Sequence, residues 1–549
     1  MFRLTRPVRI RPVHRRLAGS PNLLPEAIVA WASAADQVYG CNKSAAIRPI
    51  PVGPGSGSAR APLVDSPSVD LERVISALAP RDVVGRAPAE VRDLAYDARS
   101  AVAGSLFFCV PGERADGHDF APEAVANGAV ALVVERALAL EVPQLVVENA
   151  RAAMAVVADE FFGRPTEQLA VAGVTGTNGK TTTAFLLHSI LEQAGLRPGL
   201  LGTVESRVGT ERRPSIRTTP EAIDLQRTFR ELLDRGARSC ALEATSHGSE
   251  LRRLDRVRFA ALAFTNLTQD HLDFHGTMDR YFEAKRRLFL NGRAPAAVNI
   301  DDEYGRRLAT ELGALGRDRL VTFGFADGAL VRPERLELRR DGARFSAAGI
   351  DLELQLRGRF NVENVLAAVA TARLLELDNA AIAAGVAAVR GVPGRFEAVE
   401  EGQHFAVFVD YSHKPDALRN VLTAARELAE ARVICVFGCG GDRDRGKRPL
   451  MGRIASELAD VAIVTSDNPR SEPPEAIIEE ILSGVTADVE TDVNRRTAIV
   501  RAIELAQQGD VVVIAGKGHE QGQEIAGRLL PFDDREVARE ALRGLRTPA

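Results

Sequence analysis

Cysteine is scarce in this chain: Cys41, Cys109, Cys240, Cys435 and Cys439 are the five among 549 residues, and none forms a Cys-x-x-Cys pair. That excludes a dense disulfide framework and fits a reducing cytosol better than secretion. Charge of one sign is missing too, with 70 Lys and Arg against 74 Asp and Glu, a net of −4. A near-neutral chain exerts no global pull on nucleic acid or an anionic membrane, so an anion site must be local. No apolar run approaches the ~20 residues of a membrane helix. No secretory apolar core stands near the start, and no internal repeat of ~20–50 residues is visible. What remains is ordinary globular composition, 45% apolar and 26% charged, which excludes a mostly disordered, collagen-like or membrane-spanning chain. At ~150 residues per domain the length predicts three or four domains. The expectation is a cytoplasmic protein with small-molecule partners, no nucleic acid and no membrane.

The first 65 residues stand apart, with nine Lys and Arg but only three acids, Glu26, Asp36 and Asp65. Residues 51–58, Pro-Val-Gly-Pro-Gly-Ser-Gly-Ser, read as a flexible linker. A disordered extension or a start placed too far upstream accounts for this segment better than an organelle transit peptide. Residues 1–68 are therefore expected to be a basic, disordered extension, of which residues 1–65 are dispensable for catalysis.

From Val69 the pattern turns globular. Residues 69–165 hold short apolar runs at 106–110 and 129–134 between Ala-rich helical stretches, which predicts a small α/β domain. Residues 166–391 open on a buried strand at 169–174 and a Gly/Thr loop. Ala184, Leu187, Leu191 and Ala194 then recur at helical spacing until Gly195 stops the helix. Strand and helix patterns alternate to about 390. Residues 392–549 place strands at 405–410, 433–437, 461–465 and 511–515, with helices such as 415–428 and 475–482 between them. That order predicts a doubly wound parallel sheet. The fold expected is α/β in three domains: a small N-terminal one, a central P-loop ATPase-like one with a mostly parallel sheet, and a Rossmann-like C-terminal one.

The strongest local signal is Gly173-Val-Thr-Gly176-Thr177-Asn178-Gly179-Lys180-Thr181-Thr182. Glycines let backbone N–H groups turn inward around phosphate oxygens, and the following helix adds the positive end of its dipole. Lys180 is placed to reach the β- and γ-phosphates, and Thr181 or Thr182 to ligate Mg²⁺. This defines nucleotide phosphate chemistry and leaves GTPase, kinase and ligase open.

Three later segments narrow the choice: Glu243-Ala-Thr-Ser-His-Gly248, the run Phe264-Thr-Asn-Leu-Thr-Gln-Asp270-His271-Leu-Asp273-Phe-His275, and Tyr281-Phe-Glu-Ala-Lys285. Singly each has a bland reading: a surface acid, a structural histidine, a solvated helix face. Together, in this order after a GxTGTNGKTT loop, they resemble the Mur ligase family, whose relative folylpolyglutamate synthase shares the acyl-phosphate route to an amide. The resemblance implies ATP and Mg²⁺, with Thr181, Glu243, His271 and a carbamylated Lys285 as metal ligands, and Lys180, Lys285 and His271 as the catalytic set. CO₂ uptake would turn the Lys285 cation into an anionic oxygen donor. His275 and Asp273 receive no role. For ATP the resemblance implies residues 176–182 together with Asn361, Asn364 and Asp410.

Tyr96-Asp97-Ala98-Arg99-Ser100 and Val110-Pro-Gly-Glu113-Arg114-Ala115-Asp-Gly-His118 resemble the UDP-sugar-binding segments of the family member that adds the third peptide residue. Ala98 stands where the family usually has Ser, so one uridine hydrogen bond is in question. The resemblance implies that Ala98, Glu113, Arg114, Ala115, Thr218, Thr219, Thr245, Arg253 and Lys285 hold UDP-N-acetylmuramoyl-L-alanyl-D-glutamate. It implies Arg443, Asp467, Asn468, Pro469, Arg470, Gly516 and Glu520 for the incoming amino acid. That amino acid is expected to be meso-2,6-diaminopimelate, because its extra carboxylate suits the planar fork of Arg470, while Glu520 accepts from its distal ammonium. The activity implied is ATP-dependent ligation in peptidoglycan precursor synthesis, by a monomer. The rivals are the same ligation with L-lysine and a P-loop nucleotide switch that joins nothing.

Overall fold

A computed structural model describes residues 68–85, 90–112, 115–292, 294–317 and 319–546. The reading of the N-terminal extension, apart from Ser68, and the calls on Glu113 and Arg114 lie outside the described residues.

Among the described residues three large sheets, of five, eight and six strands, carry the fold. In the N-terminal part, strands Asp93–Ala95, Ser105–Phe108, Ala129–Val134 and Gln144–Val146 run parallel, with Asp82–Val84 antiparallel at one edge. Helix Ala150–Phe161 starts where the Asn149 side chain accepts from the Ala152 N–H. It packs on the helix Ala222–Asp234 of the central part. Ala222 and Ile223 complete the N-terminal apolar core, so one hydrophobic cluster spans this junction.

The central sheet has eight strands, with Ala170–Thr175 between Ser239–Glu243 and Phe259–Phe264. Pro198–Leu201 and Ala296–Asn299 extend it on either side, all parallel. Helix Lys180–Gln193 is buried on every side from Thr181 to Leu191, because it lies between the sheet and helices Arg359–Leu374 and Asn379–Ala388. Its apolar spacing alone would have left one face wet. Two antiparallel pieces break the expected strand–helix alternation. One is the hairpin Glu205–Val208 with Glu211–Pro214. The other is the meander Glu334–Arg339, Gly342–Ala347, Ile350–Leu354. In Ile350–Leu354 buried and exposed residues alternate, the mark of a sheet with one wet face. The turn Ala348-Gly349 has φ of 50° and 75°, the left-handed pair that two-residue hairpins require.

The C-terminal sheet orders its strands Glu397–Ala398, Ala406–Asp410, Val511–Ala515, Val433–Phe437, Val461–Thr465 and Glu490–Asp492. All pairs but the first are parallel. Apolar clusters cover both faces, as a doubly wound sheet demands. Among the described residues no helix is long and apolar enough to cross a membrane.

Candidate active site

Strand Ala170–Thr175 ends in the glycine loop, and helix Lys180–Gln193 starts directly after it. Two glycines are required there. Gly176 has φ 149°, and a Cβ on it would lie 1.9 Å from Thr265 Oγ1; Gly179 has φ 83°, and a Cβ would lie 2.3 Å from Asn364 Oδ1. The loop is pinned from the next strand end: Asn178 N–H donates to Asn266 Oδ1 (2.9 Å) and Thr265 Oγ1 donates to the Asn178 carbonyl (2.6 Å). Lys180 Nζ donates to the carbonyls of Gly176 (3.0 Å) and Thr177 (2.9 Å). Burial, and then the Lys414 charge, pull its pKa down to about 8.

Glu243, at the end of its strand, is buried and fully engaged. Its carboxylate accepts from Thr181 Oγ1 (3.1 Å), Thr203 N–H (2.7 Å) and Thr203 Oγ1 (3.0 Å). Arg395 reaches across from the C-terminal part and donates to Thr181 Oγ1 (3.0 Å). Lys285 is 1% exposed, and its Nζ donates to the Gly176 carbonyl (2.8 Å) and sits over the Tyr281 ring. Burial, then Lys180, press its pKa well below the usual lysine value. His271, at a left-handed φ of 52°, places Nε2 2.9 Å from Asp270 Oδ2. The same carboxylate oxygen pairs with Lys414. Burial works against ionisation of Asp270, but Lys414 and His271 outweigh it and hold its pKa far below the carboxylate range. His275 is structural: it bonds Ser246 and stacks on Tyr281.

A cleft of about 270 Å³ is lined by Thr177, Lys180, Thr181, Thr182, Thr218, Glu243, Thr245, His271, Asn364 and Asp410, and Lys285 is not part of that lining. Of the expected nucleotide residues, Asn361 does not line this cleft and accepts from Asn364 Nδ2 (3.0 Å). Asp410 accepts from the Phe396 N–H (2.6 Å) and from Ser412, and burial raises its pKa. The expected dipeptide residues form one network under Glu243. Thr219 Oγ1 donates to the Glu243 carbonyl (2.7 Å), Thr245 Oγ1 donates to Thr219 Oγ1 (2.9 Å), and Arg253 donates to the Thr219 carbonyl (3.1 Å) and pairs with Glu221 (2.7 Å). Thr218 and Thr203 share a hydroxyl contact of 3.1 Å. Ala98, buried on a short 3-10 turn, and Ala115 belong to the N-terminal part and line neither cavity.

A second cavity of about 890 Å³ adjoins the first, sharing His271, Tyr411, His413 and Lys414 with it. Arg443, Asp467, Asn468, Arg470, Gly516 and Glu520 line it, and Pro469 does not. Arg470 donates through Nη1 to the Gly441 carbonyl (2.7 Å) and pairs with Glu524 (3.2 Å). Glu520 already accepts from Lys517 Nζ (2.9 Å) and Asn468 Nδ2 (2.8 Å). Asp467 Oδ2 is buried without a hydrogen-bond partner.

Arg395, Lys414, Asp270, Thr203 and Lys517 were assigned no role from sequence. Lys517 stands three residues before Glu520, a spacing that signals an ion pair. Arg395, Lys414 and Thr203 meet partners far along the chain, and Asp270 joins its neighbour His271 to the distant Lys414, so no local signal announces these roles.

A phosphate-binding loop after a parallel strand, opening into a cavity at the carboxyl ends of a doubly wound sheet, defines an enzyme of nucleotide-driven group transfer. The models that match are the Mur ligase middle domain over residues 174–372, the "Mur ligase, glutamate ligase domain" over 394–518 and the "Mur ligase family, catalytic domain" over 90–162. The chain belongs to the Mur ligase family. It is 46% identical over 468 residues to the UDP-N-acetylmuramoyl-L-alanyl-D-glutamate–2,6-diaminopimelate ligase of Geobacillus kaustophilus, covering 82% of this chain and 94% of that one. It is 43% identical over 513 residues to the enzyme of the same name from Geobacter metallireducens, covering 87% and 98%. A solved structure of a ligase of that name superposes with TM-score 0.63 at 32% identity, covering 86% of this chain and 99% of that one.

Proposed function

We propose that this enzyme uses ATP to join meso-2,6-diaminopimelate to the D-glutamyl γ-carboxylate of UDP-N-acetylmuramoyl-L-alanyl-D-glutamate, a step of peptidoglycan precursor synthesis. The observation that carries the reading is the junction of the two cavities at His271, Tyr411, His413 and Lys414. A phosphate cleft opens there onto a cavity holding two guanidiniums, Arg443 and Arg470. A carboxylate is a poor electrophile, so the γ-phosphoryl of ATP passes to it first and makes phosphate the leaving group. The amine then attacks the acyl carbon, and the tetrahedral intermediate collapses to amide and phosphate. Lys180 leaves its two loop carbonyls to neutralise charge on the transferred phosphoryl. Asn364 and Asp410 hold the adenosine. The network of Thr218, Thr219, Thr245 and Arg253 holds the peptide end of the UDP substrate.

The donors fit Mg²⁺. The Glu243 carboxylate and Thr181 hydroxyl, 3.1 Å apart, are hard oxygens, and His271 stands on the same cleft. Such an ion supplies Lewis-acid stabilisation to phosphate oxygens. Lys285 acts as its carbamate. Burial of its amine, and then the Lys180 charge, lower the pKa, which favours the neutral form that adds CO₂.

The test is phosphate release from ATP in the presence of the UDP-muramoyl dipeptide, with meso-diaminopimelate or L-lysine added in turn. Release that depends on meso-diaminopimelate supports the reading. Equal use of L-lysine would replace the amino acid, and release indifferent to both would remove the ligase assignment.

A further inference from the structure

Two loops carry the guanidiniums of the amino-acid cavity. Arg443 stands on the loop after strand Val433–Phe437, and Arg470 on the loop after Val461–Thr465. An ion cluster centred on a buried arginine links the two loops. Arg448, in the first turn of helix Lys447–Leu458, has a fully buried side chain. Its Nη2 donates to Glu472 Oε1 (2.8 Å) and to the Gly440 carbonyl (3.2 Å), and its Nη1 to Glu472 Oε2 (2.9 Å) and Glu480 Oε2 (2.8 Å). Glu472 also accepts the Asp442 N–H (2.6 Å), and Ser471 Oγ donates to Asp442 Oδ1 (2.6 Å). One guanidinium thereby ties the backbone of the first loop to the side chains of the second. The Arg470 bond to the Gly441 carbonyl crosses the same seam.

Burying the Arg448 charge costs desolvation that offsets much of its attraction to the partly exposed Glu472, so the pair is a poor source of net stability. What this one does supply is fixed geometry, through a planar fork held by a bidentate carboxylate. We infer that Arg448 and Glu472 are positioning residues for amino-acid selectivity: they hold Arg443 and Arg470 at the separation that the distal carboxylate of the diamino acid requires. The inference rests on the proposed meso-diaminopimelate activity and assigns neither residue to the chemistry.

The test measures kcat and KM of the full-length enzyme for meso-diaminopimelate and L-lysine, with ATP and UDP-muramoyl-dipeptide KM as controls. Glu472→Gln keeps size and loses the charge, and Arg448→Lys keeps charge and loses the fork. In both, KM for meso-diaminopimelate should rise by about tenfold or more, the scale of a misplaced binding group. KM for ATP, KM for the dipeptide and the low rate with L-lysine should stay within about twofold. Ser471→Ala, which loosens the seam without touching the buried charges, should raise the same KM by a smaller factor and decides the matter if the other variants fail to fold. Equal losses with both amino acids, or an unchanged selectivity ratio in the folded variants, would overturn the inference while leaving the ligase activity standing. A wild-type enzyme that does not prefer meso-diaminopimelate would overturn both.

Discussion

At the nucleotide end of the site, residues 176–182 bring backbone, ammonium and hydroxyls to one place, and Glu243 and Lys285 close on that stretch from behind. At the amino-acid end, Arg443, Arg470 and Glu520 arrive on three separate loops, after strands Val433–Phe437, Val461–Thr465 and Val511–Ala515. The first arrangement concentrates positive charge on a rigid backbone, which any phosphoryl transfer from ATP needs. The second spaces a few charges apart, which is what telling one amino acid from another needs. Damage at the nucleotide end should therefore stop turnover whatever amino acid is offered. Damage at the other end should change which amino acid is used.

Lys180→Ala gives the largest expected effect. Ligation should fall by about three orders of magnitude or more with either amino acid, by analogy with other phosphoryl clamps, while circular dichroism and melting stay normal. A well-folded variant with near-normal rate would remove the loop as the ATP site. Lys285→Ala should be nearly as damaging, and short carboxylic acids should restore part of the rate by returning an anionic oxygen. Lys285→Arg should stay inactive, since guanidinium keeps its charge and cannot take up CO₂; an active Lys285→Arg enzyme would contradict the carbamate.

Arg470→Ala belongs to the other class. It should lower kcat/KM for meso-diaminopimelate by about 10²-fold, the loss of a charged hydrogen-bonded partner in a partly dry pocket, and leave ATP binding by calorimetry unchanged. Parallel losses in ATP affinity would erase the distinction between the two ends. The smallest effect is expected at the junction, where Lys414 of the C-terminal part pairs with Asp270 of the central part. Lys414→Met should slow turnover by about tenfold with either amino acid, and combining it with Asp270→Asn should cost less than the sum of the two single losses, because both remove the Lys414–Asp270 pair while Asp270 also holds His271. Additive losses in a double-mutant cycle would mean that the two residues act separately.

The same contrast governs what could be read from sequence. The phosphate loop lies in ten consecutive residues and was legible from them, although the contacts with Thr265 and Asn364 that demand its glycines come from distant parts of the chain. Strands 433–437, 461–465 and 511–515 were legible as unbroken apolar runs, because both faces of that sheet are covered. The antiparallel meander was not, since its outer strand Glu334–Arg339 is mostly exposed and polar. Arg395 meets Thr181 from 214 positions away, and Lys414 meets Asp270 across two domains, so neither role has a local signature. Glu520 was expected to accept from the substrate ammonium; Lys517 and Asn468 both bond its Oε2, and Oε1 has no partner among the described residues. The ligand set of the amino-acid cavity came from resemblance alone, because three loops that converge in space leave no common spacing in the chain.

The central claim is that one site couples ATP cleavage to the addition of a particular diamino acid. The most direct measurement is mass-spectrometric analysis of the UDP-linked product, together with ADP formation, when the enzyme is given ATP, Mg²⁺, UDP-N-acetylmuramoyl-L-alanyl-D-glutamate and equal amounts of meso-diaminopimelate and L-lysine. The account predicts the diaminopimelate tripeptide as nearly the whole product, one ADP formed for each amide. A lysine tripeptide in comparable amount, or ADP formed without any new amide, would contradict it.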